Sequence, residues 1–406
     1  MSNLASQYLK LSILLAWLFP YHAYASFIES TIGTAVVNDA TATYHNPAAL
    51  TLLKNRQLIA LNTVAKFNTL FIGQSTQSMS HLTQAGRTRN QTNFYLPSGY
   101  LGLPLNAKVT AGLALIANSF NKDLDGNSIL RYAQSNSQIE NIDFLPALGI
   151  KLNDNFSIGA GLNFSGAKFI LEPVSGFTSI NIPDRQSLNQ TQGNSLGGDC
   201  GLVWKPKTST LLGFNFRSAN VYRQRGSSLL KTIPPLKSNN HHFKFWTPAR
   251  AVFSINQFLS DKLGLIGTIQ YIQWSIFKTL TLQNVATQIG SRATILTKAD
   301  VPYHLHNSWV LTLGTHYRAT EKCIIRVAGT YNQSPGNLNY QISNGDSFTV
   351  GGSIGYDFNK HVSIDASYAH GFFKTANIHI DSARNLIEGI NQASRDGISL
   401  KLIINL

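Results

Sequence analysis

The side chains able to do chemistry in this sequence fall into patterns that remove most enzymatic options. No G-x-S-x-G elbow, H-E-x-x-H segment or C-x-x-C pair is present. Neither an activated nucleophile nor a common zinc site therefore has a local signature, and the expectation is a protein that is not an enzyme and carries no cofactor. His241-His242 and His304-x-His306 bring imidazoles together in pairs, but both pairs sit in polar segments and read as solvated loop residues. Cys200 and Cys323 are the only cysteines. They cannot make a disulfide framework, and two buried, unpaired thiols are expected. What remains is binding chemistry. Segment 218–247 combines Leu229-Leu230, Ile233-Pro234-Pro235-Leu236, Phe243, Phe245 and Trp246 with Arg223, Arg225, Lys231, Lys237 and Lys244, and holds no acidic residue. A greasy surface rimmed by cations suits an amphiphile with an anionic head. Each buried methylene contributes about 0.8 kcal/mol, and the cations attract a carboxylate. The phosphates of lipopolysaccharide would suit the same cations, and the two roles can coexist.

The elements that must carry this surface follow from composition and period. Charged residues make up 13% of the 406 and hydrophobic ones 43%, against roughly 25% charged in soluble domains. Every apolar stretch is interrupted before it reaches the roughly 18 residues of a membrane helix, so a polytopic helical protein is excluded. The net charge is +14, yet no basic recognition motif accompanies it, and nucleic acid is not an expected partner. Lys10, the apolar stretch Leu11 to Phe19 and Ala23-Tyr24-Ala25 read as a signal peptide over residues 1–25.

Beyond it, period two dominates. Phe348, Val350, Gly352, Ile354, Tyr356 and Phe358 alternate with Thr349, Gly351, Ser353, Gly355 and Asp357; Phe156, Ile158, Ala160, Leu162 and Phe164 alternate with Ser157, Gly159, Gly161 and Asn163. The polar side is small and poorly charged, as in a barrel lumen whose greasy side faces lipid. Short turns near 104–107, 153–155, 205–208, 260–261, 319–321 and 359–360 alternate with long polar segments near 67–93, 119–142, 171–194, 218–247, 275–307, 333–345 and 379–392. That rhythm predicts an all-β fold: a transmembrane antiparallel barrel of about 14 strands over residues 56–406, in the bacterial outer membrane, probed by strands rather than helices.

Residues 26–55 precede the first strand and could hang loose in the periplasm or fold into the lumen as a plug; Val36-Val37, Tyr44 and Ala48-Ala49-Leu50 give them enough apolar surface to pack, which favours the plug. Their motif Gly33-Thr34-Ala35, Asn38-Asp39-Ala40 and Tyr44-His45-Asn46-Pro47-Ala48-Ala49-Leu50 resembles the hatch signature of the FadL family of outer-membrane transporters. Thr247-Pro248-Ala249-Arg250, the segment Arg326 to Pro335 and Ser367-Tyr368-Ala369-His370-Gly371 are similar to further family motifs in the same order. The resemblance implies a monomeric 14-stranded barrel with an N-terminal hatch. It implies passive uptake of hydrophobic compounds, most naturally long-chain fatty acids, from an outer leaflet of lipopolysaccharide. A channel for uncharged aromatic hydrocarbons, or a surface adhesin or open porin, are the alternatives. It implies also that Lys168 stands where fatty-acid members place a carboxylate-pairing cation, with Lys298 or His306 as a second. Phe243, Phe245 and Trp246 would line the capture site. The hatch turn Asn46-Pro47-Ala48 would lie against an inward kink of the third strand, within 108–118, with Gly112 as the bend and a gap in the wall for lateral release.

Overall fold

The computed structural model describes residues 35–77, 81–123, 128–133, 136–177, 182–289, 291–382 and 385–406. The expected signal peptide and the first residues of the expected hatch, Gly33 and Thr34 among them, lie outside the described residues.

The described chain is almost entirely strand. In order these are β1 (Gln57–Gln77), β2 (Thr83–Pro104), β3 (Val109–Asp123), β4 (Asn136–Lys151), β5 (Phe156–Glu172), β6 (Val174–Phe177) and β7 (Ile182–Lys207). There follow β8 (Thr210–Arg217), β9 (Asn220–Leu230), β10 (Leu236–Thr247), β11 (Arg250–Phe258), β12 (Leu263–Ile272), β13 (Thr279–Ile289) and β14 (Arg292–Pro302). The last are β15 (Ser308–Arg318), β16 (Cys323–Asn332), β17 (Ser347–Asp357), β18 (Val362–Phe373), β19 (Ala376–Asp381) and β20 (Asn385–Asn405). A short helix α1 (Ala42–His45) and a 3-10 helix (Pro47–Leu52) precede them.

Fourteen of these strands form a closed wall, each antiparallel to the next: β1 to β5, then β7, β8, β11, β12, β15 to β18, and β20. The ring closes where β20 pairs with β1 from Gln57↔Asn405 to Gln77↔Asn385. Closure matters because hydrocarbon offers no partner for a free backbone N–H, and only a sheet without edges can span it. All six expected short turns are observed, as are fourteen wall strands.

The long polar segments differ from expectation. Most of them are not irregular loops but continue as sheet, because their backbone still finds partners above the membrane; segment 333–345, between β16 and β17, holds no strand. β1 and β2 pair out to Thr76↔Thr83, far beyond the 9–11 residues that a tilted strand needs to cross. The upper part of β7 leaves β8 and pairs with β9, from Ser187↔Leu230 to Gln192↔Arg225. β9 pairs with β10, β10 with β13, and β13 with β14. These four strands form a flap of sheet standing above the wall.

Side chains alternate across the wall as expected. Phe348, Val350, Ile354 and Tyr356 of β17 are exposed while Thr349 and Ser353 are buried; Ile158, Leu162 and Phe164 of β5 are exposed while Ser157, Asn163 and Ser165 are buried. In water such a greasy exterior would forgo about 25 cal/mol for each Å² left wet; lipid removes that cost. Both cysteines are free thiols, as expected, but neither is buried: Cys200 shares the exterior face and Cys323 is half-buried. The reason is parity: on β7, Asp199 points in, so its neighbour points out. The interior is not uniformly hydrophilic either. Phe67, Phe71, Phe94, Phe120, Phe169, Tyr222, Phe243, Phe245 and Phe277 join one buried apolar cluster toward the long-segment end.

Candidate functional site

The interior is built in three tiers. At the short-turn end lie residues 35–53, folded against the inner wall. Asn46 organises them. Its side-chain amide donates to Ala35 O at 2.8 Å and to Leu202 O of β7 at 3.1 Å, and its Oδ1 accepts from Ala48 N at 3.2 Å. Asn as N-cap and Pro47 as first residue are the residue types that start a helix most readily, so the turn is encoded locally. The wall receives it on hydrogen bonds from several strands. Gln57 Oε1 accepts from Ala40 N at 2.7 Å, Thr51 Oγ1 donates to Ser157 Oγ at 2.8 Å, and Ala35 N donates to Ser254 Oγ at 3.1 Å. Asp39 pairs with Lys401 of β20 at 3.0 Å.

Glycines let the segment approach. A Cβ at Gly159 would lie 2.3 Å from Ala48 N, one at Gly201 1.8 Å from Asn46 Oδ1, and one at Gly112 2.4 Å from Thr43 Oγ1. Gly112 therefore faces the segment, as the hatch expectation requires, but β3 is not interrupted there: it pairs with Gly102 on one side and Ala147 on the other. The ladder breaks further along. Leu96-Pro97 of β2 face Ala117-Asn118 of β3 without pairing, and Leu145-Pro146 of β4 face Leu162-Asn163 of β5 in the same way. Proline has no N–H to give, so a Pro in each break leaves the β3–β4 pair less firmly tied on both flanks.

The middle tier is a polar waist. Arg217 and Asp199 form a buried ion pair at 2.6 Å, and the Arg217 guanidinium lies 4.0 Å over the Tyr44 ring and donates to Tyr44 O. Arg250 faces the same ring at 5.3 Å. Tyr222 donates to Ser165 Oγ at 2.9 Å, and Asn141 Nδ2 donates to Asp143 Oδ1 at 2.9 Å. A charged pair this deep is costly unless fully hydrogen-bonded; here its partners include the backbone of the segment beneath it.

The upper tier is the apolar cluster. Phe169 meets Phe243 and Phe245 with ring centroids 5.8 and 5.1 Å apart, and Phe277 meets Phe245 at 5.5 Å and Tyr303 at 4.9 Å. Phe243 and Phe245 are thus buried in the interior cluster. Trp246, of opposite parity, is half-buried and meets Phe277 edge-on at 6.2 Å. A cation that the motif pattern did not single out borders this tier. Lys122, 2% exposed, is buried on the inner face of β3, two residues beyond Phe120. Its signal was the alternation itself, since Ala114, Ile116 and Phe120 of the same parity are all buried.

The expected carboxylate-pairing residues lie elsewhere. Ala167 and Phe169 point into the lumen, so Lys168 points outward, where it faces Glu140 at 3.7 Å. Lys298 is 63% exposed and paired with Asp300 at 2.7 Å. His306 is exposed, its backbone N–H donating to Pro335 O. The structure brings none of the three into the lumen; for Lys168 the reason is strand parity, which rather than height along the strand decides the side a residue serves, while His306 lies between β14 and β15, outside any strand. His241 also departs from expectation: it is buried, with Nδ1 2.7 Å from Gln283 O.

A closed, outward-greasy barrel with a segment folded into its interior belongs to the outer-membrane transport barrels. The chain belongs to the family described as outer membrane protein transport protein (OMPP1/FadL/TodX), whose pattern matches residues 30–398. Among solved structures it is similar to a Pseudomonas aeruginosa FadL homologue, with 21% identity over 92% of this chain and 95% of that one and a TM-score of 0.80. The Pseudomonas putida toluene transporter TodX shares 15% identity, with coverage of 92% and 98% and a TM-score of 0.68. The Ralstonia pickettii toluene transporter TbuX shares 14%, with coverage of 90% and 94% and a TM-score of 0.64. No curated protein matches the chain by sequence. This is an outer-membrane transporter of hydrophobic compounds, crossing the bilayer as a barrel.

Proposed function

We propose that the transported compounds are long-chain fatty acids, taken up passively and released sideways into the membrane. The observation that carries the reading is Lys122 beside the apolar upper tier. Lys122 is a buried ammonium two residues from Phe120 on the same face, and a fatty acid would bring it a carboxylate for a charge-assisted contact on a chain that suits the apolar cluster. Capture would begin at the flap, where Phe243 and Phe245 continue the apolar surface upward. The alkyl chain would lie among Phe94, Phe120 and Phe169 with the carboxylate at Lys122. Lys168 and Lys298 have no part in this path, given their outward placement.

Release would follow a shift of the Asn46-Pro47-Ala48 turn and pass the ladder breaks flanking β3–β4. Gly112, approached by Thr43 and Leu50, is a contact point for the hatch in this reading rather than a bend. Residues 26–55 would be the hatch and 56–406 the barrel, with the protein working as a monomer. The test is uptake of radiolabelled oleate and of toluene by cells lacking their own transporters. Lys122→Met keeps the length and removes the charge. It is expected to lower oleate uptake about tenfold, the cost of one lost charge-assisted contact, while leaving toluene uptake unchanged. Loss of toluene uptake with oleate untouched would favour the aromatic-hydrocarbon reading, which the aromatic lining also suits.

A further inference from the structure

The outer face of the flap carries charges that the transport path does not use. Reading across the sheet at one height, Glu140↔Lys168, Lys168↔Gln192, Gln192↔Arg225, Arg225↔His242, His242↔Gln283 and Gln283↔Lys298 are successive cross-strand partners. Directly paired residues of an antiparallel sheet project from the same face, so Lys168, Arg225, His242 and Lys298 form one rung. Two residues lower on β9, Arg223 faces Lys244. Arg223, Arg225 and Lys244 are all exposed, while Tyr222, Gln224, Phe243 and Phe245 between them are buried. Like charges set directly opposite one another destabilise a sheet. Glu140 and Asp300 stand at the two ends of the row, beside Lys168 and Lys298, which leaves the centre strongly positive.

The height of the row identifies what it meets. Four residues below Lys168 and Gln192 lies the cross-strand pair Phe164↔Leu196, both exposed, with Val221 exposed at the matching position of β9. At about 3.3 Å per residue and a tilt of about 40°, the cations stand about 10 Å above this apolar rung. That is headgroup level on the side of the long segments. Two adjoining grooves of about 770 and 520 Å³ open on the same face, sharing Lys168, Gln192 and Arg225.

We propose that this face is a binding site for the phosphate groups of the outer-leaflet glycolipid, with Arg223, Arg225 and Lys244 at its centre and Lys168 and Lys298 at its margins. The lipid A disaccharide lies along the rung, its acyl chains running down over Val221, Leu196 and Phe164. The site rests on the outer-membrane placement of the barrel and is independent of which compound the lumen carries.

The test is native mass spectrometry of the detergent-solubilised protein with bisphosphorylated lipid A, with the same lipid A after enzymatic removal of its phosphates, and with inorganic phosphate as competitor. Wild type is expected to retain bisphosphorylated lipid A and to release the dephosphorylated form. R223Q/R225Q/K244Q is expected to bind about 100-fold more weakly, as three cations near an anionic lipid surface are removed. K205Q/K207Q, at exposed positions at the short-turn end, is expected to bind as wild type. Heat-modifiable migration on gels confirms that each variant is folded, and the two lipids compared on wild type decide the matter if one is not. Equal retention of the two lipids, a loss below about threefold in the triple variant, equal loss in K205Q/K207Q, or displacement by inorganic phosphate at the lipid's concentration would overturn the proposal. Oleate uptake measured in the triple variant separates this site from the lumenal one.

Discussion

At the residue scale, one asparagine and a few glycines carry most of the geometry of the segment 35–53. Asn46 makes three hydrogen bonds, to Ala35 O, Leu202 O and Ala48 N, and each is worth about 1 kcal/mol net. One of them, to Leu202 O, reaches the wall and the other two shape the segment's own turn. Asn46→Ala is therefore expected to weaken seating of the segment by about 1 kcal/mol directly and to loosen its turn as well, visible as frequent openings in single-barrel planar-bilayer recordings. Gly201→Val should act through the same contact from the other side, since its Cβ would overlap Asn46 Oδ1. Quiet recordings from both variants would contradict the hatch reading. The Asn46-Pro47 turn was legible in the sequence because cap chemistry is local. Lys168 was legible too, though by a different signal from the one that picked it out. Carrying the alternation of Phe156 to Phe164 forward by two-residue steps puts Lys168 on the outer face, where it stands. Family position suggested a lumenal role; periodicity decided the side.

At the element scale, the wall strands and their six short turns could be read directly, because a strand that divides lipid from lumen must alternate. The flap could not. Segments 218–247 and 275–307 break the alternation with Pro, Gly and Asn, and their partners, β7 with β9 and β10 with β13, are set by three-dimensional neighbours rather than by local pattern. Likewise nothing in the sequence marks Gly112 as paired and Pro97 as the break, since a missing N–H matters only once the opposing strand is known. The β2–β3 break is testable. Pro97 and Ala117 stand opposite one another at the gap and neither is buried, so Pro97→Cys with Ala117→Cys sets two thiols across it, and a disulfide, which needs Cα atoms about 4.4–6.8 Å apart, would tie the gap shut. Oxidation is expected to abolish oleate uptake and reduction to restore it. Uptake unaffected by a fully formed bridge would move the exit to the Leu145-Pro146 break or to the lumen axis.

At the scale of the molecule, fourteen strands enclose more room than their own side chains fill. Eight strands are about the number whose interior side chains suffice, whereas 16–18 leave an aqueous channel. Something must therefore close this barrel, and two structures compete for the role: residues 35–53 at the short-turn end, and the apolar cluster of the upper tier. They make different predictions. If the N-terminal segment is the seal, deleting residues 26–50 exposes the polar waist of Arg217, Asp199, Asn215 and Arg250 to water from below, and conductance in planar bilayers rises from near zero to a steady porin-like level. If the apolar cluster seals the pore by excluding water, the truncated barrel stays quiet. Conductance then rises only when the cluster too is opened, for example by Phe245→Ser. The buried ion pair tilts the choice. Arg217 leans on Tyr44 through its ring and carbonyl, so removing the segment leaves a desolvated guanidinium that recovers its lost contacts most cheaply from water. That drive to wet the waist is why the truncated barrel is expected to conduct, with Arg217→Met in the truncated background returning part of the current toward zero.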